Sequence, residues 1–554
     1  MLVHANPSLD VQRTSRGSSW WWLLIALEVL ICLVIIWDTG AYSPDDAYIY
    51  FNGARQLARG ELPNMTPGET PTNAWGSYLW LAMLTPGYLL GLNPLFWSKL
   101  LGVLLLLGTV WQLQAVVRLV RPGTPRLTAW ALGGLLLTYA PAVYWSVSGL
   151  ETLLNVFSLL LTVRLLLRDY KSGRLSAAFG LALGLQLVSR PDAFFNAALL
   201  AAAALWLLID RRRPHRLREA WRPLVGLLPG LALFILPVFF YPTLLPTSAL
   251  AKVPDIWANL PAILFNNTKF LLYYAFKTPG NLLIYLGAGW FLLSRDPDDE
   301  TRFEWPLKLI LALLALIHIG KYLLTGDWMG VQRLWLPSAV TALAVTLPLI
   351  LRLVEKLRGR LALTLALLCS LAAGLTGWRA FIFYHYNHPG SPAEEMGRLI
   401  ARLKAEDSWM ITTDMGVLPY FADVPAIDAE VKPICNYHLF NNPGDYEYIA
   451  DHQLDFIVVT SCFYDQVGWY GRQKYGVPAE VLQRDYRRVM VAEWRPPYDF
   501  GFLIPFSGRY FHLFVHERLE PPEVSPVPLN LRGTSMAGPS VGPAARIQPA
   551  EYGG

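Results

Sequence analysis

Eleven apolar runs constrain this chain more than any other feature. Each is roughly 17–25 residues long, the length a helix needs to cross a hydrocarbon core. They fall near residues 20–38, 95–117, 127–147, 150–167, 175–189, 193–210, 223–241, 279–294, 306–324, 334–354 and 361–384. Only 16% of the 554 residues are charged and 54% are hydrophobic, which excludes an ordinary soluble enzyme. The 21 Trp and 26 Tyr suit a protein with many membrane interfaces. The expected fold is mostly α, a polytopic membrane helical bundle of about 11 spanning helices. The first run is long for a signal sequence and no small-residue cleavage site follows it, so it reads as a retained helix. The stretch 76–91 is apolar but short and interrupted by Gly and Pro; it is expected to lie at the interface.

Orientation follows from where the basic residues sit. Alternate loops starting at the N-terminus hold 22 Lys and Arg, among them Arg211, Arg212, Arg213, Arg216, Arg218 and Arg222. The opposite loops hold seven: Arg55, Arg59, Arg190, Lys252, Lys269, Lys277 and Arg333. Positive residues stay on the cytoplasmic side. The N-terminus is therefore expected inside, and the seven-residue set and everything after residue 384 outside. The basic runs are orientation signals, and no nucleic-acid partner is expected.

Beyond the last apolar run the texture changes. Stretches beginning at Trp409, Asp455, Arg488 and Phe511 alternate as strands do, with helical patterns near 392–406 and 478–486. This gives three expected domains: a transmembrane unit over 1–384, a small extracytoplasmic α/β domain over 385–520, and a disordered Pro/Gly/Ser/Ala-rich tail over 521–554. If the second domain is outside, Cys435 and Cys462 can pair.

The outward loops carry the chemistry. The first holds Ser43-Pro44-Asp45-Asp46 and Thr72-Asn73-Ala74-Trp75; the next two are Ser148-Gly149-Leu150-Glu151 and Ser189-Arg190-Pro191-Asp192. Pro246-Thr-Ser-Ala-Leu-Ala-Lys252 and Gly326-Asp327-Trp-Met-Gly-Val-Gln-Arg333 follow. Ionisable residues at a membrane boundary are costly and are usually paired or functional. Arg190, Lys252 and Arg333 can clamp a phosphate. Asp45 or Asp46 can take a proton from a hydroxyl, or can cap a helix, since Ser-Pro-Asp-Asp is a good helix start. The structural alternative for the whole set is a satisfied ion-pair network that ties the loops together. Trp75 can stack on a sugar face or anchor at the interface.

These five motifs, in this order over roughly residues 40–340, resemble the GT-C membrane glycosyltransferases, and most of all the arabinofuranosyltransferases of the AftB type. The resemblance implies an enzyme of a bacterial inner membrane. It would move a sugar from a polyprenyl-phosphate donor to a glycan, lipid or protein acceptor outside. It implies that one Asp of the pair is the general base, and that Lys252 and Arg333 bind the donor phosphate. Glu151, Arg190, Asp192, Asp327 and Trp75 are the further expected substrate contacts. The other Asp of the pair would orient the acceptor, bind a cation or hold a loop cation. No cofactor is required by this chemistry, although the pair has the donor set for a divalent cation. Thr413-Asp-Met-Gly-Val-Leu-Pro-Tyr420 and Pro425-Ala-Ile-Asp428 resemble the soluble domains of other bacterial GT-C proteins.

Other signals carry less. Gly533-Thr-Ser-Met-Ala-Gly-Pro539 mimics a protease nucleophile segment, yet it lies in the low-complexity tail without matching Asp and His motifs. His385 and His388 lack a carboxylate at helical spacing and read as a solvated boundary, so no metal site is assigned. The rival class is a transporter of lipid-linked saccharide. That would place polar groups near the midplane, often with repeat symmetry; here they gather at one face and no repeat is visible. Orientation is directly testable. A cysteine introduced near residue 450 is expected to react with an impermeant thiol reagent in intact cells, and labelling only after the cells are opened would overturn the assignment.

Overall fold

The computed structural model describes residues 43–120, 139–209, 220–251, 391–429, 433–461, 479–494 and 509–520. It adds short stretches at 134–137, 309–317 and 336–344, Arg333, and scattered single positions within 26–37, 260–268, 286, 289, 346 and 477. The expected spans at 279–294 and 361–384, the tail, Lys252, Asp327 and Cys462 lie outside the described residues. So does the pairing of Cys435, which is itself buried.

Helix α1 (Asp45–Ala58) starts at Pro44, whose extended backbone accepts the Ala47 N–H. Its two aspartates fill the first turn, where the helix dipole favours them. Helix α2 (Tyr78–Leu89) is capped by the Ser77 hydroxyl, which accepts from Trp80 N. Its 12 residues reach roughly 18 Å, too short to cross a bilayer. Helix α3 (Pro94–Val120) has 27 residues and is a span by length and composition. Helices α4 (Ala140–Val147) and α5 (Thr152–Ser172) meet at a 118° bend over Ser148–Glu151. Helices α6 (Ala177–Ser189), α7 (Ala193–Ile209) and α8 (Trp221–Ile235) follow. With its 3-10 extension to Phe239, α8 is the second helix long and apolar enough to span. Among the described residues there are thus two such helices, or three if the bent pair counts as one.

Helices α6 and α8 touch backbone to backbone. Gly180 and Gly184 face Gly226 and Gly230, two Gly-x-x-x-Gly sets packed on each other. A Cβ at Gly180 would lie 1.9 Å from the Pro223 carbonyl oxygen, and one at Gly226 would lie 1.9 Å from that of Ala177. In hydrocarbon, where apolar side chains gain nothing by meeting, such close approach is a main source of helix association.

The C-terminal residues form a five-stranded sheet in the order β2-β1-β3-β5-β4. Its strands are β1 (Met410–Thr412), β2 (Ala426–Asp428), β3 (Phe456–Ser461), β4 (Tyr486–Trp494) and β5 (Arg509–His516). β1, β2 and β3 run parallel; β5 is antiparallel to β3 and β4. Strand β3 is buried on both faces. Phe456 and Val458 join the large core that continues into the helices, and Ile457 and Val459 join a second core beneath the short helices α12 (Tyr437–Asn441) and α13 (Tyr446–Asp451). Helix α10 (Pro392–Leu403) and helix α11 (Val417–Ala422) pack on the first face. Four of the strands match the expected stretches. β2 (Ala426–Asp428) is not among the expected stretches.

The sheet region sits directly on α1 and the outward loops. Ala426 N donates to the Met65 carbonyl at 3.2 Å. Arg55 pairs with Asp423 at 3.0 Å and lies 4.7 Å over the Tyr420 ring. The Tyr88 and Tyr420 hydroxyls meet at 3.1 Å.

The α6–α8 contact has a simple test. Gly226→Leu is expected to lower stability by about 1–3 kcal/mol, the usual cost of overpacking, read as a lower melting temperature in lipid nanodiscs. A change to Leu at Leu224's exposed neighbour Val225 is expected to leave melting unaltered.

Candidate active site

The site begins at Asp45 and Asp46. Adjacent residues on a helix point about 100° apart, and the two carboxylates take opposite directions. Neither caps its own helix, since α1 has no side-chain cap. Asp45 turns to the sheet region instead. Its Oδ2 accepts from Gly416 N at 2.9 Å and its Oδ1 from Val417 N at 2.8 Å, at the start of α11. The approach is close enough that a Cβ on Gly416 would lie 2.0 Å from the Asp45 carbonyl oxygen. Asp46 turns to the bundle, where its Oδ2 accepts from Arg333 Nη1 at 3.3 Å.

Below Asp46 runs a chain of charges. Arg333 Nη2 donates to Glu151 Oε1 at 2.8 Å, Arg190 Nη1 donates to the same oxygen at 2.6 Å, and Arg190 Nε donates to Asp192 Oδ1 at 2.8 Å. The Arg333 guanidinium also lies 5.6 Å from the Trp145 ring centroid. Glu151 is 2% exposed, and its other oxygen, Oε2, accepts no hydrogen bond among the described residues. Asp46 is the open end of the chain, with 36% of its side chain exposed against 13% for Arg333. Four of the motif-bearing loops thus meet at one place. Arg333, expected as an exposed loop-mouth charge, is mostly buried there, because two carboxylates offset its desolvation.

The Pro246–Lys252 loop enters by a separate route. Helix α9 (Thr247–Leu250) opens with Thr247, whose N–H and hydroxyl both reach the Asn73 carbonyl, at 2.8 and 3.1 Å. The same hydroxyl lies 2.5 Å from the Ile434 carbonyl. That carbonyl is fixed because Asp428 Oδ2 accepts from Ile434 N and Cys435 N, at 2.8 and 3.0 Å. Asp428 therefore serves as a loop anchor. Trp75 is 1% exposed and donates its indole N–H to the Ile49 carbonyl at 3.1 Å. Its ring lines a small apolar cleft with Tyr78, Phe234, Leu245 and Arg190.

Electrostatics separate the two aspartates. Burial, then Asp414, and then Asp46 push the Asp45 carboxyl up to about 7, against the pull of the two amide donors. Asp414 lies in the β1–α11 turn, where its Oδ2 accepts from the Thr460 hydroxyl at 3.0 Å and the Thr413 hydroxyl at 3.3 Å. Sequence reasoning assigned no role to Asp414, Trp145 or the amides Asn155 and Gln186. The last two extend the polar network into the bundle: Gln186 Nε2 donates to Asn155 Oδ1 at 2.8 Å, and Ser158 donates to Gln186 at 2.6 Å. Their signal was present, as amide side chains inside otherwise apolar runs. Among the described residues no group of three His, Cys, Asp or Glu is arranged to hold a metal.

No family model matches this sequence, and no curated protein matches it. The likeness is three-dimensional. ArnT from Cupriavidus metallidurans, solved with undecaprenyl phosphate, superposes at TM-score 0.51 and 13% identity over 90% of this chain and 98% of its own. The Archaeoglobus fulgidus oligosaccharyltransferase tethered to an acceptor peptide superposes at 0.50 and 11% identity, over 89% of this chain and 75% of its own. Mycobacterial arabinofuranosyltransferase AftD reaches 0.47 at 15% identity and is covered over 41% of its length, which carries no argument about the sugar. At such identities the likeness shows the fold alone: this chain is folded as ArnT and the archaeal oligosaccharyltransferase are.

Proposed function

We propose that this chain is a membrane glycosyltransferase that moves a sugar from a polyprenyl-phosphate donor to an extracytoplasmic glycan, lipid or protein acceptor. Arabinofuranose is the sugar suggested by the AftB-type motifs. The observation that carries the reading is the convergence of Asp45, Asp46, Glu151, Arg190, Asp192 and Arg333 where the apolar helices meet the sheet region. A lipid-phosphate donor needs such a place. Its tail stays in the bilayer, its phosphate lies at the helix mouths, and its sugar faces the outer layer.

In this reading the acceptor hydroxyl gives its proton to Asp45, and its oxygen attacks the anomeric carbon. The bond from that carbon to the phosphate oxygen breaks, and polyprenyl phosphate leaves with the electron pair. A carboxyl held near 7 suits this role, because a general base works best with its pKa near the operating pH. Asp46 holds Arg333 until donor arrives. The donor phosphate then takes Arg333 Nη1 from Asp46, the longest and most exposed link of the chain, and the cation stabilises charge that grows on the leaving group. Lys252, five residues beyond the anchored Thr247, supplies the second cation. The open oxygen of Glu151 offers an acceptor for a sugar hydroxyl. Asp192 and Asp327 complete the expected contacts, the former by fixing Arg190.

The base assignment is checked by turnover against a panel of polyprenyl-phosphate sugars. Asp45→Asn keeps the shape and is expected to lower turnover about 10²–10⁴-fold with donor binding retained. The wild-type rate is expected to climb as pH rises through about 7, since the base must be ionised to accept a proton. A dead Asp46→Asn beside a near-normal Asp45→Asn would exchange the two roles. The phosphate assignment divides differently between its two cations. Lys252→Ala is expected to weaken donor binding alone. Arg333→Ala is expected also to cost about 3–5 kcal/mol of stability, because it leaves Glu151 buried with one partner fewer. Unchanged donor affinity in both variants would reject them as phosphate ligands.

A further inference from the structure

We infer that Asp414 is a positioning residue for Asp45, so that the Thr413–Val417 turn of the sheet region forms the second wall of the transfer site. This rests on the reading of Asp45 as the base.

The geometry is specific. Three residues of one turn act on one carboxylate: the Gly416 and Val417 amides hold its two oxygens, and Asp414 stands two residues before them with a like charge. The turn is itself fixed. Asp414 N donates to the Thr412 hydroxyl at 3.1 Å, and the hydroxyls of Thr413 in the turn and Thr460 on β3 hold the Asp414 carboxylate. Among the described residues, the other groups that face Asp45 are Asp46 and Tyr48 on its own helix and Cys435 ahead of α12. None of these is a cation, so Asp45 has two fixed dipoles in its favour and like charges against it. The like charge of Asp414 raises the Asp45 carboxyl, and the titration of two such interacting groups belongs to the pair. The consequence is mechanical. A sheet region lifted off α1 would take away both the amides and Asp414, and Asp45 would become an ordinary, weak carboxylate base. Docking of the outer layer thereby sets the strength of the base beneath it.

The pair can be read without knowing the sugar. A carboxyl raised above its ordinary value adds stability that is full below about 3.8 and is lost as pH rises to about 7. Melting of the full chain in lipid nanodiscs, followed across roughly pH 5 to 9, reports this loss, and Asp45→Asn gives the reference profile without it. Asp414→Asn is expected to move the midpoint of the loss down by about one pH unit or more. Asp414→Ser, smaller and likewise neutral, is expected to do the same. Asp414→Glu keeps the charge and is expected to keep the wild-type midpoint. A purely structural role would lower melting at every pH in all three and move no midpoint, which would overturn the inference. An Asp45→Asn profile that retains the wild-type midpoint would overturn it as well. Sugar transfer that survives in Asp45→Asn is a separate result: it removes the base reading and leaves the melting comparison to decide whether the two carboxylates are coupled.

Discussion

Glu151 is the residue on which the arrangement depends. One of its oxygens binds Arg190, 39 residues away, and Arg333, 182 residues away. A buried carboxylate is tolerable only when its partners repay its desolvation, and here each partner comes from a different loop. The sharp bend between α4 and α5 puts Glu151 at the floor of the site. Arg190 then ties in Asp192, and Arg333 ties in Asp46. The ion-pair network weighed as an alternative to function is therefore present. It does not displace the functional reading. Under the proposed function, an anionic leaving group needs cations kept in place before the donor arrives, and carboxylates of graded exposure are a way to keep them.

The second dependence is between the two layers. A single turn at the start of α1 serves both, because adjacent helical positions diverge. Asp46 belongs to the bundle, and Asp45 belongs to the sheet region. Burial and the like charge of Asp414 together raise the Asp45 carboxyl towards neutrality. The aromatic and cationic contacts around Arg55, Tyr420 and Asp423 hold this seam from its outer side.

Asp428 and Trp75 show how motif residues divide. Both stand in stretches that a reading of the sequence singles out. In the structure Asp428 accepts two backbone amides and so fixes the carbonyl on which Thr247 rests, while Trp75 spends its N–H on α1 and lines the apolar cleft. Their work is to hold the loops that carry the charged groups.

The sequence by itself determined what depends on neighbours along the chain. The run at 95–117 became α3 because a stretch of that length and apolarity has no other stable form in a membrane. Strands β3 and β5 were visible in their alternation. The placing of Asp45, Glu151, Arg190 and Arg333 on one side followed from counting cations loop by loop. Only the tertiary structure decided the pairings. Arg333 met Glu151 and Asp46, and that choice depended on a bend and a helix packing that leave no local trace. Asp45 reaches Val417 across 372 residues, and no pattern in either segment encodes that contact. The two Gly-x-x-x-Gly sets escaped notice for the same reason, since each is an unremarkable pair of small residues until the other helix lies against it. Periodicity and charge asymmetry are local or additive properties, whereas a hydrogen bond between distant segments exists only once the chain between them has folded.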